Sequence, residues 1–209
     1  MTPPQTTTTE RGEATRRRIL EVAAPHFLER GYAGTSLNDI IKETGLTKGG
    51  FYFHFDGKTE LALEVLDDVR TAWREAIFAL AGDHTRAVDQ IAAMVRAAAT
   101  VKCDAPSGTA IGRLCEELAK LPGMAERIRP FDAWFEVTAD LFRAAQAQGD
   151  MDPTVDAASA AIFAVNGYMG YDQLADVSGD EALVLRLADE FLYYTFRAVG
   201  IHVPVPASA

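Results

Sequence analysis

The sequence predicts an all-α protein in two parts, and three observations carry that prediction. Apolar residues return at helical spacing from Glu13 almost to the end of the 209-residue chain. Near the front, two short helical segments joined by a glycine turn follow a longer one, a three-helix arrangement of helix-turn-helix type. Beyond residue 58 the pattern reads as about six helices and no strand.

Residues 1 to 12 are Thr- and Pro-rich with nothing to bury, and read as a disordered arm. From Glu13 to Arg30, Ile19, Val22, Ala23 and Phe27 share a helical face, and Gly31 is placed to cap the C-terminus. Pro25 interrupts that helix. It removes the hydrogen bond to the carbonyl of Glu21, so a kink is expected there. Ser36 followed by Asp39 in "SLND" reads as a capping box opening a short helix through Thr44, which Gly45 ends. Thr47 then caps a third helix across "KGGFYFHF". Ile40, Leu46, Phe51 and Phe55 are placed in the small core, with the i, i+4 pair Phe51 and Phe55 turned inward.

That leaves Lys48, Gly49, Gly50, Tyr52, Phe53 and His54 on the outward side. A helix entering the major groove reads bases and phosphates with its N-terminal end. Glycines there let the backbone approach closely, and backbone amides are natural phosphate ligands. Tyr52, His54 and the following Lys58 add donors and a charge.

The run from Ile19 to Leu66, "ILEVAAPHFLERGYAGTSLNDIIKETGLTKGGFYFHFDGKTELALEVL", resembles the TetR-type transcriptional regulators. The shared features are the phenylalanine before a "GY" turn, "TSLxDI", "GLTKG" and "YxHFxxK", in that order and spacing. The resemblance places the helix-turn-helix motif at 36–55, inside a DNA-binding domain at 13–58. It implies contacts to double-stranded DNA from Thr35, Ser36, Lys48, Gly49, Gly50, Tyr52, Phe53, His54 and Lys58. Taken singly, the two lysines would serve equally as solvated side chains, His54 as a structural histidine and Ser36 as a cap; their gathering on one short face favours DNA. The "TRRR" cluster at 15–18 either meets phosphates or is a basic surface.

Residues 59–200 form the larger helical part, followed by a tail at 201–209. Leu61, Val65, Val69 and Trp73 mark a long helix to about Ala81, and a second runs from 87 to 102. A third starts near Thr109, and a longer one runs from Leu121-Pro122 to "AQAQGD". By resemblance this part binds a small-molecule effector, and its last two helices, near 155–171 and 180–199, pair with a second copy. Residues 155–171 are apolar over most faces, which suits an interface or a central core helix. Met94, Cys115, Trp134, Phe163 and Asn166 are the candidate pocket residues. Phe131, Trp134 and Phe135 share a helical face that suits core or pocket wall.

All ten net negative charges fall beyond residue 60, because the first sixty residues hold eight basic and eight acidic side chains. The acidity is therefore a solubility feature of the larger part and does not oppose a DNA-binding front. Cys103 and Cys115 have no CxxC or zinc-type spacing, so no disulfide framework or metal is expected, nor any cofactor. The polar N-terminus lacks an apolar signal-peptide core and no apolar run is long enough to span a bilayer, which points to the cytoplasm. The four histidines are scattered and the nucleophile, metal and phosphate-loop motifs of enzymes are absent, so no enzyme is expected. The expected function is a homodimeric, effector-released repressor acting on a palindromic operator. The alternative is a helical protein-interaction module without sequence-specific DNA binding.

Overall fold

The computed structural model describes residues 8–104, 107–128, 132–178, 180–202 and 204. Among them it is all-α: α1 (Thr8–Gly34), α2 (Leu37–Thr44), α3 (Lys48–Tyr52), α4 (Lys58–Ala81), α5 (Ala87–Asp104), α6 (Ser107–Ala119), α7 (Asp132–Gln148), α8 (Ala157–Ser178) and α9 (Glu181–Ala198).

The caps of the second and third helices are those the sequence signals. Ser36 accepts from the Asp39 amide, Gly45 closes α2 in the left-handed region at φ 72°, and Thr47 accepts from the Gly50 amide. Three expectations require correction. Helix α1 begins at Thr8, so residues 8–12 of the expected arm are helical, and residues 1–7 lie outside the described residues. Extending a nucleated helix costs little, and the Thr15 hydroxyl donates back to the Arg11 carbonyl at 2.9 Å. Second, Pro25 keeps helical dihedrals; the non-helical residue inside α1 is Gly31, at φ 70° and ψ −179°. Pro25 is exposed, whereas Gly31 supplies the positive φ that other residues reach only at a cost. Third, residues 121–127 are turns, and the helix expected from Leu121 starts at Asp132. The expected tail at 201–209 is described only at Ile201, His202 and Pro204.

The chain divides into two compact units. The first comprises the chain to Thr71 together with Ala110–Ile128; the second comprises Ala72–Thr109 and the chain from Arg129. The boundary differs from the one read at 58/59. It falls inside α4, and most of α6 belongs to the first unit. The reason is packing: Leu114, Cys115 and Leu118 of α6 are buried in one core with Ile19, Phe27, Ile40, Phe51, Phe55 and Leu61.

In the second unit α8 packs on α7 and α9, and α5 packs on α7 and α9. Phe142, Leu192 and Phe196 are buried at its centre among alanines of α5, α7 and α8. The chain segment before α8 is tied to the end of α9 by a single antiparallel bridge between Met151 and Ile201. Helix α8 buries Ala157, Ala160, Ala161, Ala164 and Tyr171 while exposing Ile162, Phe163 and Leu174, the last at 66%. Helix α9 buries Val184, Ala188, Leu192 and Phe196 and exposes Leu185, Tyr193 and Tyr194. Both helices thus have a covered apolar face and an uncovered one.

Candidate nucleic-acid interface

The third helix is five residues long, too short to hold itself. Its shape is imposed by Thr47 at one end and by two buried rings at the other. Phe51 and Phe55 stack at 5.8 Å and are fully buried, which leaves the residues between them facing out. Lys48, Gly49 and Phe53 are exposed, Phe53 to 83%, and Tyr52 is half-exposed with its ring edge on Phe51. Gly50 is half-buried, and a side chain there would press on the Thr47 hydroxyl at 3.3 Å. Gly49 is different. A Cβ built on it would meet no protein atom within 4 Å, and its φ is not positive. Nothing within 4 Å inside the chain requires glycine there, and a backbone without a side chain is open to close approach from outside.

The remaining sequence-derived contacts divide. Ser36 is half-buried and its oxygen caps α2, which leaves its hydroxyl proton free to be donated outward. His54 is half-buried with its ring edge-on to Phe53 at 5.2 Å. Lys58 lies with its ammonium 4.4 Å above the Tyr32 ring. Burial holds its pKa below the ordinary lysine value, and the negative charge of Glu117 opposes that shift. Thr35 is a correction. It is buried, and its hydroxyl is directed to the carbonyls of His26 at 2.9 Å and Gly31 at 2.6 Å. A hydroxyl engaged there ties down the end of α1 and has no proton left for DNA.

Arg16 resolves part of the "TRRR" alternative. Its guanidinium pairs with the carboxylate of Glu64, donates to the His54 carbonyl and covers the Phe55 ring at 4.2 Å. It clasps α1, α4 and the residues just after α3 together, while Arg17 and Arg18 are exposed.

Sequence reasoning missed a second clasp. Of the adjacent pair Glu116 and Glu117, Glu116 faces solvent, paired with Lys120 at 2.7 Å. Glu117 instead turns to the broken end of α1, where its Oε2 accepts from the Ala33 amide at 2.9 Å. One turn earlier, Arg113 donates to the carbonyl of Glu29 at 3.1 Å and also to that of Leu28. The i, i+4 spacing of 113 and 117 was the only available signal.

The candidate pocket residues fall in both units. Met94 and Trp134 share a cluster of the second unit with Trp73, Ile77, Ala97 and Ala98. Cys115 belongs instead to the core of the first unit, where burial pushes its thiol pKa up. Phe163 and Asn166 are exposed on α8. Phe131 lies outside the described residues. Among the described residues no group of histidine, cysteine and carboxylate side chains could hold a metal ion, and no helix is long and apolar enough to cross a membrane.

Comparison with known proteins agrees with this geometry. The family model of bacterial regulatory proteins of the tetR family matches residues 19–65, the span that builds the caps and rings just described. The HTH-type transcriptional regulator LmrA of Bacillus subtilis (strain 168) is 44% identical over 63 residues, 30% of this chain and 34% of LmrA. The chain thus spans about a third of the length of such curated relatives. Solved structures extend the likeness over both units. A TetR transcriptional regulator from Chloroflexus aurantiacus J-10-FL superposes with a TM-score of 0.78 at 30% identity, covering 91% of this chain and 98% of that one. TylP, a TetR regulator from Streptomyces fradiae, does so with a TM-score of 0.69 at 30% identity, covering 92% and 90%. With sequence likeness over residues 19–65 and structural likeness along nearly the whole chain, the protein belongs to the tetR family of bacterial regulatory proteins.

Proposed function

We propose that this protein is a dimeric transcriptional repressor that binds a palindromic double-stranded operator through the α2–α3 segment and is released by a small-molecule effector. The observation that carries the DNA-binding part is the outward face of α3, where an exposed lysine, a glycine with no internal reason to be glycine, and two exposed rings stand on a rigid two-phenylalanine base. Lys48 supplies a phosphate charge, the Gly49 backbone allows close approach, and Tyr52 donates its hydroxyl. Ser36, Gly50, Phe53, His54 and Lys58 flank that centre.

The uncovered apolar faces of α8 and α9 support pairing with a second copy, since two reading segments are what a palindrome needs. Helix α4 begins at Lys58, just after α3, and contributes residues to both compact units, so it is the element through which effector binding acts on the α2–α3 segment. Release requires that the effector bind the two states with different affinity. The setting is the cytoplasm, where the operator is.

Fluorescence anisotropy against duplexes tiling the DNA upstream of its own gene tests this reading. The expected result is tight, salt-sensitive binding to one palindromic segment. Lys48→Ala and Tyr52→Ala each weaken it by about tenfold or more, the scale of a hydrogen bond to a charged group, and Lys48→Ala lowers the salt slope by about one. Both variants keep the dimer and the melting temperature. Unchanged affinity in both would remove α3 from the interface, and no binding at low salt would favour a protein-interaction role.

A further inference from the structure

The second unit contains a buried donor with no visible purpose. The indole N–H of Trp73, on α4, is buried and has no hydrogen-bond partner among the described residues. Buried indole N–H groups ordinarily find one, because leaving such a donor unmet forfeits the hydrogen bond it made to water. Trp73 stands edge-on to Trp134 of α7 at 5.7 Å, and Trp134 is stacked parallel to Phe78 of α4 at 6.3 Å. Met94, Ala97 and Ala98 of α5 and Tyr168 of α8 belong to the same cluster. Phe78 is 38% exposed, so the ring cluster reaches the surface.

We propose that this cluster is a subsite for a flat, largely apolar molecule held by a hydrogen bond from the Trp73 indole N–H to an oxygen acceptor of that molecule, such as a carbonyl. The inference rests on the effector-controlled reading above and specifies the chemistry of the effector. Parallel and edge-on rings receive a planar π system. Apart from the Tyr168 hydroxyl, the walls are rings, a thioether and methyl groups, which reward apolar area and offer little to a bare charge. The indole nitrogen donates and cannot accept, so the complementary group must be an acceptor. An edge contact with the Trp134 ring is a weaker partner for that proton than an oxygen is, so the acceptor takes it.

The two tryptophans of the chain both lie in this cluster, so indole resonances report on it alone. The test uses the full-length protein and two tricyclic probes of the same outline, 9-fluorenone, which carries a carbonyl oxygen, and fluorene, which does not. Calorimetry gives the affinity ratio of the two probes for the native protein and for Trp73→Phe, which keeps a ring and removes the donor. The expected result is a preference for fluorenone that falls by about three- to tenfold in Trp73→Phe, the size of one hydrogen bond. In nitrogen-proton spectra the Trp73 indole resonance moves downfield with fluorenone and not with fluorene. A ratio unchanged by the substitution overturns the proposal, as does an indole resonance indifferent to both probes. Should Trp73→Phe fail to fold, the paired spectra of the native protein decide alone. Operator binding is measured on the same samples. Its persistence beside a failed probe result overturns the subsite only, whereas its absence overturns the regulator reading itself.

Discussion

Replacing Phe51 with alanine is expected to destabilise the first unit by about 3–5 kcal/mol, the usual cost of deleting a fully buried aromatic ring. Phe51 is 0% exposed and stacks on Phe55, which is itself covered by the Arg16 guanidinium. Domains are stable by only about 5–15 kcal/mol, so this loss is a large share of the total. Operator affinity should fall with it, because α3 has no means of keeping its shape once the ring is gone. The comparison that gives the experiment its meaning is Phe53→Ala, two residues away in the same aromatic run. Phe53 is 83% exposed, and removing it should move stability by no more than about 0.5 kcal/mol. Urea denaturation of both variants, followed by operator binding, separates the two roles. Similar midpoints for the two would show that the inward-outward division of the aromatic run is mistaken.

Gly31→Ala is the second large effect, at about 2–4 kcal/mol. Part arises from the backbone, since an L-residue at φ 70° and ψ −179°, a region essentially reserved for glycine, costs roughly 1–3 kcal/mol. The rest arises from Glu117: a Cβ at position 31 would lie 2.4 Å from one carboxylate oxygen and 2.9 Å from the other. The carboxylate must then leave the Ala33 amide that it accepts from at 2.9 Å, at a cost of about 1–3 kcal/mol if that amide stays unmet. The two parts can be measured separately. In Gly31→Ala/Glu117→Ala the clash is gone but the backbone penalty remains, so the double variant should be less destabilised than the sum of the single ones. Strict additivity in chemical denaturation would refute the steric coupling between α1 and α6.

What the sequence made legible here was local. Ser36, Gly45 and Thr47 could be read as caps because a cap needs only a suitable side chain a fixed number of residues from a helix start or stop. Phe51 and Phe55 could be turned inward because helical spacing settles it. Thr35 could not be assigned in the same way: a hydroxyl beside the motif can face DNA or its own backbone, and only the position of the Gly31 carbonyl decides. The place of α6 was illegible for a stronger reason. Leu114, Cys115 and Leu118 meet Ile19 and Phe27 across some ninety residues of chain, and no periodicity within α6 names the partner of its apolar stripe. The contact of Glu117 was illegible too, since two adjacent carboxylates lie on different faces of a helix and only the fold shows that Glu116 is wet while Glu117 meets the Ala33 amide. The pocket residues were chosen from elements whose neighbours the sequence does not name, and they fall in both units. Trp73 was seen only as one more apolar residue, and its orphaned N–H is a property of the folded surroundings alone.

The five-residue length of α3 has a consequence for how such a protein changes over generations. Its helical form is supplied from below, by Thr47, Phe51 and Phe55, so the segment keeps its shape whatever stands on its outer side. Lys48, Gly49 and Phe53 owe nothing to the interior. On the proposed reading, a gene copy can therefore exchange them and acquire a different DNA address with little penalty in stability, while the buried letters between them are held constant. Fold and address are written in the same short word but on alternate letters, and selection can edit one without erasing the other.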